Sequence, residues 1–431
     1  MIKRLRVQGY KSLSDVEITF DNLTVIFGPN AVGKSNLFDA LSLLSRIVSS
    51  RTLTSAFEGH RGDQLEAFDC SREGLEGLLR KERVSFIMEV DVALSPANLD
   101  RVKQRIQAYR AGISDNNTDP TPMRRWIKES FLRYKIKVEM IPKTGILRVQ
   151  DESLLALRMT DGELFPDERR KPFLERVNNR LRLRMEGQAR PTDYELGLDY
   201  SIVSQSLYPP HYPHITAFRE EVSSWCFYYF EPRLMREENP LKEVLTLKPS
   251  GGDLAAFYHT LNYKKPKQYN NINKVLSNLV PTISELAVEP TEEGKIRLKI
   301  KEGVFFSAKV ISEGTLRILG LLAILSPISP TTIVGFEEPE NGVHPRRLKL
   351  IGDLLRNAAE QKQIIVNTHS PILANFLTDA YLVSCKKRNG STIFEPITTK
   401  PLFRAGEINK GVDEEEPTPM LQRILRGDFD D

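Results

Sequence analysis

Gly28, Pro29, Asn30, Ala31, Val32, Gly33, Lys34 and Ser35 stand in the order G-x-x-x-x-G-K-S. A loop of this kind between a strand and a helix aims backbone N–H groups at the phosphates of a nucleotide. Glycine at 28 and 33 permits backbone angles and a close approach that a Cβ forbids. Lys34 is expected to reach the β- and γ-phosphates, Ser35 to ligate Mg2+ through its hydroxyl, and Asn36 to close the nucleotide-contacting run. Such a loop needs acids on a second strand to hold the metal and activate water. The apolar run Thr332-Ile333-Val334-Gly335-Phe336 ends in Glu337-Glu338-Pro339-Glu340, where ligands bind in α/β sheets. Glu337 is expected to support the Mg2+ shell and Glu338 to polarise the attacking water as a general base. After the apolar run Gln363-Ile364-Ile365-Val366 comes Asn367-Thr368-His369-Ser370-Pro371. A histidine at that strand end can hydrogen-bond the γ-phosphate or the water. Ile311-Ser312-Glu313-Gly314-Thr315-Leu316 opens a strongly apolar helix. Ser312, with the N–H groups of Gly314 and Thr315, makes a helix N-terminus suited to an anion, although Ser312 is equally a good N-cap. One chain has no evident need of a second phosphate site, which points to action across a dimer.

The elements that must carry these residues are readable. Thr24-Val25-Ile26-Phe27 is a buried strand before the loop. Leu37, Ala40, Leu41, Leu44 and Ile47 recur at helical spacing after it. Strands are expected at Ile2–Val7, Val84–Val92, Thr332–Phe336, Gln363–Asn367, Tyr381–Ser384 and Ser391–Phe394, and helices at Ile318–Leu325 and Arg347–Ala359. Strands alternating with helices imply a parallel sheet covered on both faces. The middle, from Leu94 to Tyr208, reads as charged helical text with turn-rich breaks such as Ser114–Pro120. Leu99–Ile106 and Phe173–Leu181 read as helices with solvated faces. The expected organisation is an N-terminal lobe at 1–93, a mainly helical insertion at 94–208, a C-terminal lobe at 209–405 and an acidic tail at 406–431 containing Asp413-Glu414-Glu415-Glu416.

The chain has 431 residues and a formal charge of +4, from 61 Lys and Arg against 57 Asp and Glu. That mild excess neither requires nor excludes nucleic acid, since a local patch matters more than the sum. Cys70, Cys226 and Cys385 lack metal spacing and read as free thiols of a reducing cytoplasm. No signal peptide or membrane-length apolar run is read, so a cytoplasmic, membrane-free setting is expected.

Taken together the motifs resemble those of the ABC-type ATPases of the SMC, RecF and OLD group, especially the compact predicted ATPases without a nuclease domain. The matching pieces are Walker A at Gly28–Ser35, the signature-like Ser312-Glu313-Gly314-Thr315, Walker B at Ile333–Glu338, a D-loop-like Glu340-Asn341-Gly342-Val343-His344-Pro345 and an H-loop at Asn367–Pro371. Gly9-Tyr10-Lys11-Ser12-Leu13 resembles the group's N-terminal phosphate-side element, which makes Lys11 a nucleotide-contact candidate. Gln64 is the Q-loop candidate toward the metal, and Lys248–Ala256 is familial in look without a clear chemical role. Two residues depart from the pattern. Glu313 stands where the signature has its first glycine, and Glu337 stands where Walker B often has Asp. Both bear on hydrolysis rate more than on nucleotide binding.

The resemblance implies an α/β fold, an ABC-type P-loop head with a mixed sheet. It also implies a head-to-tail homodimer or higher homo-oligomer with ATP and Mg2+ sandwiched between subunits, catalysed through Lys34, Glu338 and His369. About sixty residues follow His369, too few for a nuclease domain, so an effector is expected on a separate chain, as in bacterial anti-phage systems. Arg124-Arg125-Trp126-Ile127-Lys128, Phe131–Lys137, Arg169-Arg170-Lys171 and Arg180–Arg184 interleave bases and aromatics. They fit DNA contact or solvated faces with the aromatics in the core. Three readings follow: a slow ATPase switch or scaffold governing a separate effector such as a nuclease, a RecF-like DNA-repair ATPase, and a nucleotide-bound interaction module without catalysis.

Overall fold

The computed structural model describes residues 1–71, 73–111, 127–188 and 190–397. The turn at 114–120, the basic run at 124–126 and the acidic tail lie outside the described residues. In chain order come strands β1 (Ile2–Tyr10), β2 (Leu13–Thr19) and β3 (Leu23–Phe27), then helix α1 (Lys34–Ser49). Short helices α2 (Leu53–Phe57) and α3 (Gly74–Arg80) precede β4 (Val84–Ala93), and α4 (Pro96–Ala111) precedes β5 (Phe131–Ile141) and β6 (Ile146–Thr160). Then follow β7 (Glu163–Pro166), β8 (Leu174–Val177), β9 (Arg180–Leu183), β10 (Thr192–Glu195), α5 (Pro213–Ser223) and β11 (Trp225–Tyr228). The rest is α6 (Pro232–Met235), β12 (Asn239–Pro240), α7 (Leu254–Lys264), α8 (Pro266–Leu279), β13 (Glu285–Pro290), β14 (Lys295–Glu302), β15 (Val304–Ser307) and α9 (Glu313–Leu325). The chain ends its described part with β16 (Ile333–Glu337), α10 (Leu348–Ala359), β17 (Gln363–Thr368), α11 (Pro371–Phe376), β18 (Tyr381–Arg388) and β19 (Ser391–Pro396).

The described residues form two compact units, one within 1–21, 35–225 and 387–394, the other within 22–34, 226–386 and 395–397. The first unit is built on a nine-stranded sheet in the order β10-β9-β8-β6-β5-β4-β1-β2, with β7 on β6. Its pairings are antiparallel. Strand β5 alternates half-exposed and buried residues along its whole length, as a sheet with one face on a core should. Helix α1 buries Leu37, Ala40, Leu41, Leu44 and Ile47, the stripe expected from the sequence. Glu152 is fully buried here and its carboxylate accepts from Tyr134, Ser201 and the N–H groups of Ile202 and Val203. Burial raises its pKa against those bonds.

The mainly helical insertion is not what forms between 94 and 208. Helix α4 is present, but β5 to β10 follow it and extend the same sheet as β4 and β1. The expected helix over Phe173–Leu181 is the hairpin of β8 and β9, with Leu174 facing Leu183 and Val177 facing Arg180. Asn178 takes φ +54° between them, which an asparagine turn tolerates and a helix does not. Leu174, Leu181 and Leu183 are buried while the arginines point outward, a period of two that the dense charge hides. In β5, Tyr134 and Ile136 are fully buried, Arg133 forks onto Asp91 at 2.6 and 2.7 Å, and Lys135 lies 3.4 Å from Asp151. In this stretch Tyr134 is therefore a core residue, and Arg133 and Lys135 lie on acidic neighbours.

The second unit has the alternating α/β text that the sequence announces. β16, β17, β3 and β18 are parallel and adjacent in that order, with β11 beyond β16. β3 is sandwiched in the register Val25–Val366 on one side and Val25–Leu382 on the other. Strands buried on both faces read as continuous apolar runs, which is why 24–27, 333–336 and 363–366 are recognisable. One core cluster joins these strands to α7, α8 and α9, through residues such as Phe257, Tyr258, Leu316, Leu319 and Phe336. A smaller antiparallel sheet, β12-β14-β13 with β15 on β14, precedes α9.

Candidate functional site

The second unit delivers its chemistry at the C-terminal ends of three neighbouring parallel strands. β3 runs into the P-loop, β16 into Glu337 and Glu338, and β17 into Thr368 and His369. The P-loop backbone takes the left-handed region at Ala31 (φ +66°) and reaches φ +106° at Gly33, turning successive N–H groups to one side as an anion nest requires. Lys34 is 7% exposed, and its ammonium donates to the carbonyls of Gly28 and Pro29 at 2.6 Å each. Burial draws its pKa down, opposed by Cys385 and by Glu338, Glu340 and Glu337. The lysine thus folds back over the loop, a posture that phosphate oxygens could take over by offering stronger acceptors.

Gly28 is fixed by close packing. A Cβ there would lie 2.3 Å from the carbonyl oxygen of Cys385 on β18. Gly28→Ala is expected to lower stability by about 1–3 kcal/mol and to weaken ATP binding as the loop is pushed off its seat. Thermal unfolding together with titration of a fluorescent ATP analogue checks this, and an unchanged melting point would remove the argument.

Glu338 leaves β16 at φ +50°, an uncommon conformation for a non-glycine residue and a common mark of functional sites. Its N–H donates to the Asn367 carbonyl at 2.8 Å. One carboxylate oxygen lies 3.0 Å from His369 Nδ1, and the other accepts from the Asn341 amide. His369 is half-buried, and its Nδ1 is also 3.8 Å from Glu340. Glu340 is buried, accepts from the Thr368 hydroxyl and has its pKa raised by desolvation. The unit thus brings Lys34, Glu337, Glu338 and His369 to one edge of the sheet, as the sequence leads one to expect.

The sequence places Glu340, Asn341 and Asn367 in the D-loop-like and H-loop motifs but assigns them no role at this edge. Asn367 is 1% exposed, yet neither its amide nitrogen nor its oxygen has a hydrogen-bond partner. It is paired in register with Glu337. A buried amide without partners is costly, and it fits a site whose polar occupants are water and phosphate. The signal was available: a lone polar residue ending an apolar strand.

At the head of α9, Ser312 does cap the helix. Its hydroxyl accepts from the Thr315 N–H at 3.2 Å and lies 2.9 Å from the Thr315 hydroxyl. Gly314 meets Gly342, whose carbonyl oxygen would be 1.9 Å from a Cβ at 314. In the first unit, Lys11 is held by Asp39 of α1 at 2.6 Å and by the Arg61 carbonyl at 3.1 Å. Asn36 donates to Ser12 at 2.7 Å. Gln64 opens a short 3-10 turn over Gln64–Ala67. Cys70, Cys226 and Cys385 are free thiols.

Family models match both ends of the chain. Residues 1–77 match an AAA ATPase domain, and residues 221–375 match an AAA domain described with the AbiEii toxin, Type IV TA system. The two ATPase-domain matches, at opposite ends of the chain, support an SMC/RecF-like ABC-type ATPase. This SMC/RecF-like chain is 32% identical over 92 residues to the DNA replication and repair protein RecF of Oceanobacillus iheyensis, a stretch spanning 21% of this chain and 23% of that relative. The fold of the SMC/RecF-like head is similar to a solved Smc head bound to the C-winged helix domain of ScpA, with a TM-score of 0.53 at 13% identity, covering 93% of this chain and 98% of that one. It is similar also to a Smc head with an extended coiled coil bound to the C-terminal domain of ScpA derived from Pyrococcus furiosus, with a TM-score of 0.50 at 14% identity, covering 92% and 96%. Among the described residues, no helix is long and apolar enough to cross a membrane.

Proposed function

We propose that this chain binds and slowly hydrolyses ATP as a conformational switch, pairing head to tail with a second copy and governing a separate effector, a nuclease by preference, in bacterial anti-phage defence. The observation that carries the catalytic part is the Glu338–His369 pair at 3.0 Å on neighbouring strand ends, beside the strand that feeds the P-loop. The nest at Ala31 to Gly33, the buried Lys34 and the unpartnered Asn367 amide fit a triphosphate and its water. Mg2+, when bound through Ser35 and water held by Glu337, supplies charge neutralisation at the phosphates. His369 turns from Glu338 to hydrogen-bond the γ-phosphate, and the carboxylate oxygen it leaves takes a proton from the attacking water. Ser312, Gly314 and Thr315 would serve the nucleotide of the partner copy. Binding and hydrolysis would then close and open the pair, a motion an effector can read. A cytoplasmic setting supplies ATP and suits the free thiols.

A second reading, a RecF-like ATPase acting on DNA, is favoured by the RecF relative. The paired and buried side chains of β5 argue against that stretch as its DNA contact. The deciding experiment measures ATP hydrolysis by the full chain with and without double-stranded DNA, and mass by light scattering with and without ATP. Slow, DNA-indifferent turnover with an ATP-dependent rise in mass supports the switch. Turnover stimulated by DNA and lost with salt supports the second reading.

A further inference from the structure

Glu338 is engaged on both oxygens, and the two partners differ in what moves them. His369 can follow a phosphate. Asn341 belongs to the turn after β16, where its N–H returns to the Glu338 carbonyl at 3.1 Å and the Val343 N–H returns to Glu340 at 2.9 Å. That turn folds the Asn341 amide back onto the Glu338 carboxylate. The next residue, Gly342, takes φ +73° and lies backbone to backbone against Gly314 in the first turn of α9. Asn341 is therefore the side chain that stands between the carboxylate and the helix N-terminus that carries Ser312.

We infer that Asn341 is a positioning residue for the Glu338 carboxylate, and that it links the first turn of α9 to that carboxylate through Gly342. This rests on the ATPase reading above. With His369 drawn to the γ-phosphate, the oxygen it leaves accepts a proton from water. The water oxygen bonds to the γ-phosphorus as the bond to the bridging oxygen of ADP breaks. Asn341 keeps the other carboxylate oxygen in place, so that the free one faces the water rather than swinging with its side chain. An anion settling on the first turn of α9 bears on Gly342 directly, and any shift there reaches the carboxylate through one amide.

The test is steady-state ATP hydrolysis by the full chain, with N341A, N341D and E338Q beside the wild type and ATP-analogue binding measured for each. Loss of a partner that orients a catalytic group typically costs about 10–100-fold, so N341A is expected to lower kcat by that factor with KM within about twofold. N341D keeps the shape but replaces the donor with a second carboxylate, so it is expected to lose at least as much as N341A. Should N341A fail to fold, N341D carries the test alone. Wild-type turnover abolished by E338Q but kept by N341A would overturn the positioning role and leave the ATPase standing. Retention of kcat by N341D would also overturn it, since shape without donation would then suffice. A wild type that binds ATP and never turns it over would overturn the ATPase reading and the positioning role together.

Discussion

Glu338→Gln is expected to reduce ATP turnover by about 100-fold or more, the usual size of a general-base contribution, while ATP affinity stays near the wild-type value. The amide keeps the shape of the side chain and can still meet His369 Nδ1 or Asn341, but it cannot take a proton from water. Because Glu338 is also a negative charge near Lys34, removing it leaves the lysine with less competition and favours retention of the bound triphosphate. The variant should therefore accumulate as the ATP-bound assembly, visible as a stable increase in mass by light scattering. Phosphate release and nucleotide titration on the same preparation separate the two effects. Turnover equal to wild type would sink Glu338 as the base and leave the interaction-module reading in its place.

Gly314→Ala is the second large effect. The added methyl would stand 1.9 Å from the Gly342 oxygen and 2.8 Å from its carbonyl carbon, and both neighbours are backbone, so one of the two segments must shift. Overpacking of this type costs about 1–3 kcal/mol, and at about 1.4 kcal/mol per tenfold the same displacement at the site is expected to reduce turnover by roughly tenfold to hundredfold. Alanine keeps the N–H at 314, so a residue needed only for its N–H to a phosphate would tolerate the change. A fall in both melting temperature and kcat, with analogue binding at the P-loop retained, identifies the backbone contact as the cause. Unchanged values for both would mean that the two turns are free to separate.

The parts of this molecule that were legible in its sequence share a physical property. Strands β3, β16 and β17 are buried on both faces, so their apolar runs are unbroken, and the functional residues stand just past their ends. The helix stripe after the P-loop is likewise a matter of period, and the residues of that stripe are buried. The stretch from 131 to 195 was misread because its strands have one solvated face packed with Arg, Lys, Glu and Asp. Alternation there was masked by charge density that favours helix on propensity alone. Asn178 was the better clue, since a residue that accepts positive φ between two leucine-bearing runs marks a hairpin. The Asn341 contact was illegible for another reason. Whether an amide after an acidic strand points to solvent or back onto the carboxylate depends on a turn geometry that spacing does not encode.

The pairing of β3 has a bearing on how the chain is made. Val25 finds its neighbours at Val366 and Leu382, so the strand that carries the P-loop has no sheet to join until synthesis has nearly passed the last described residue. Contacts this distant in sequence close late and slowly. During translation the β3 segment must wait, apolar and unpaired, while the antiparallel strands that begin at Ile2 and resume at Val84 can already pair with one another. Nascent chains of this protein therefore pass through a long interval with one unit formed and the other missing its central strand, and that is when chaperone dependence and aggregation at high expression should concentrate.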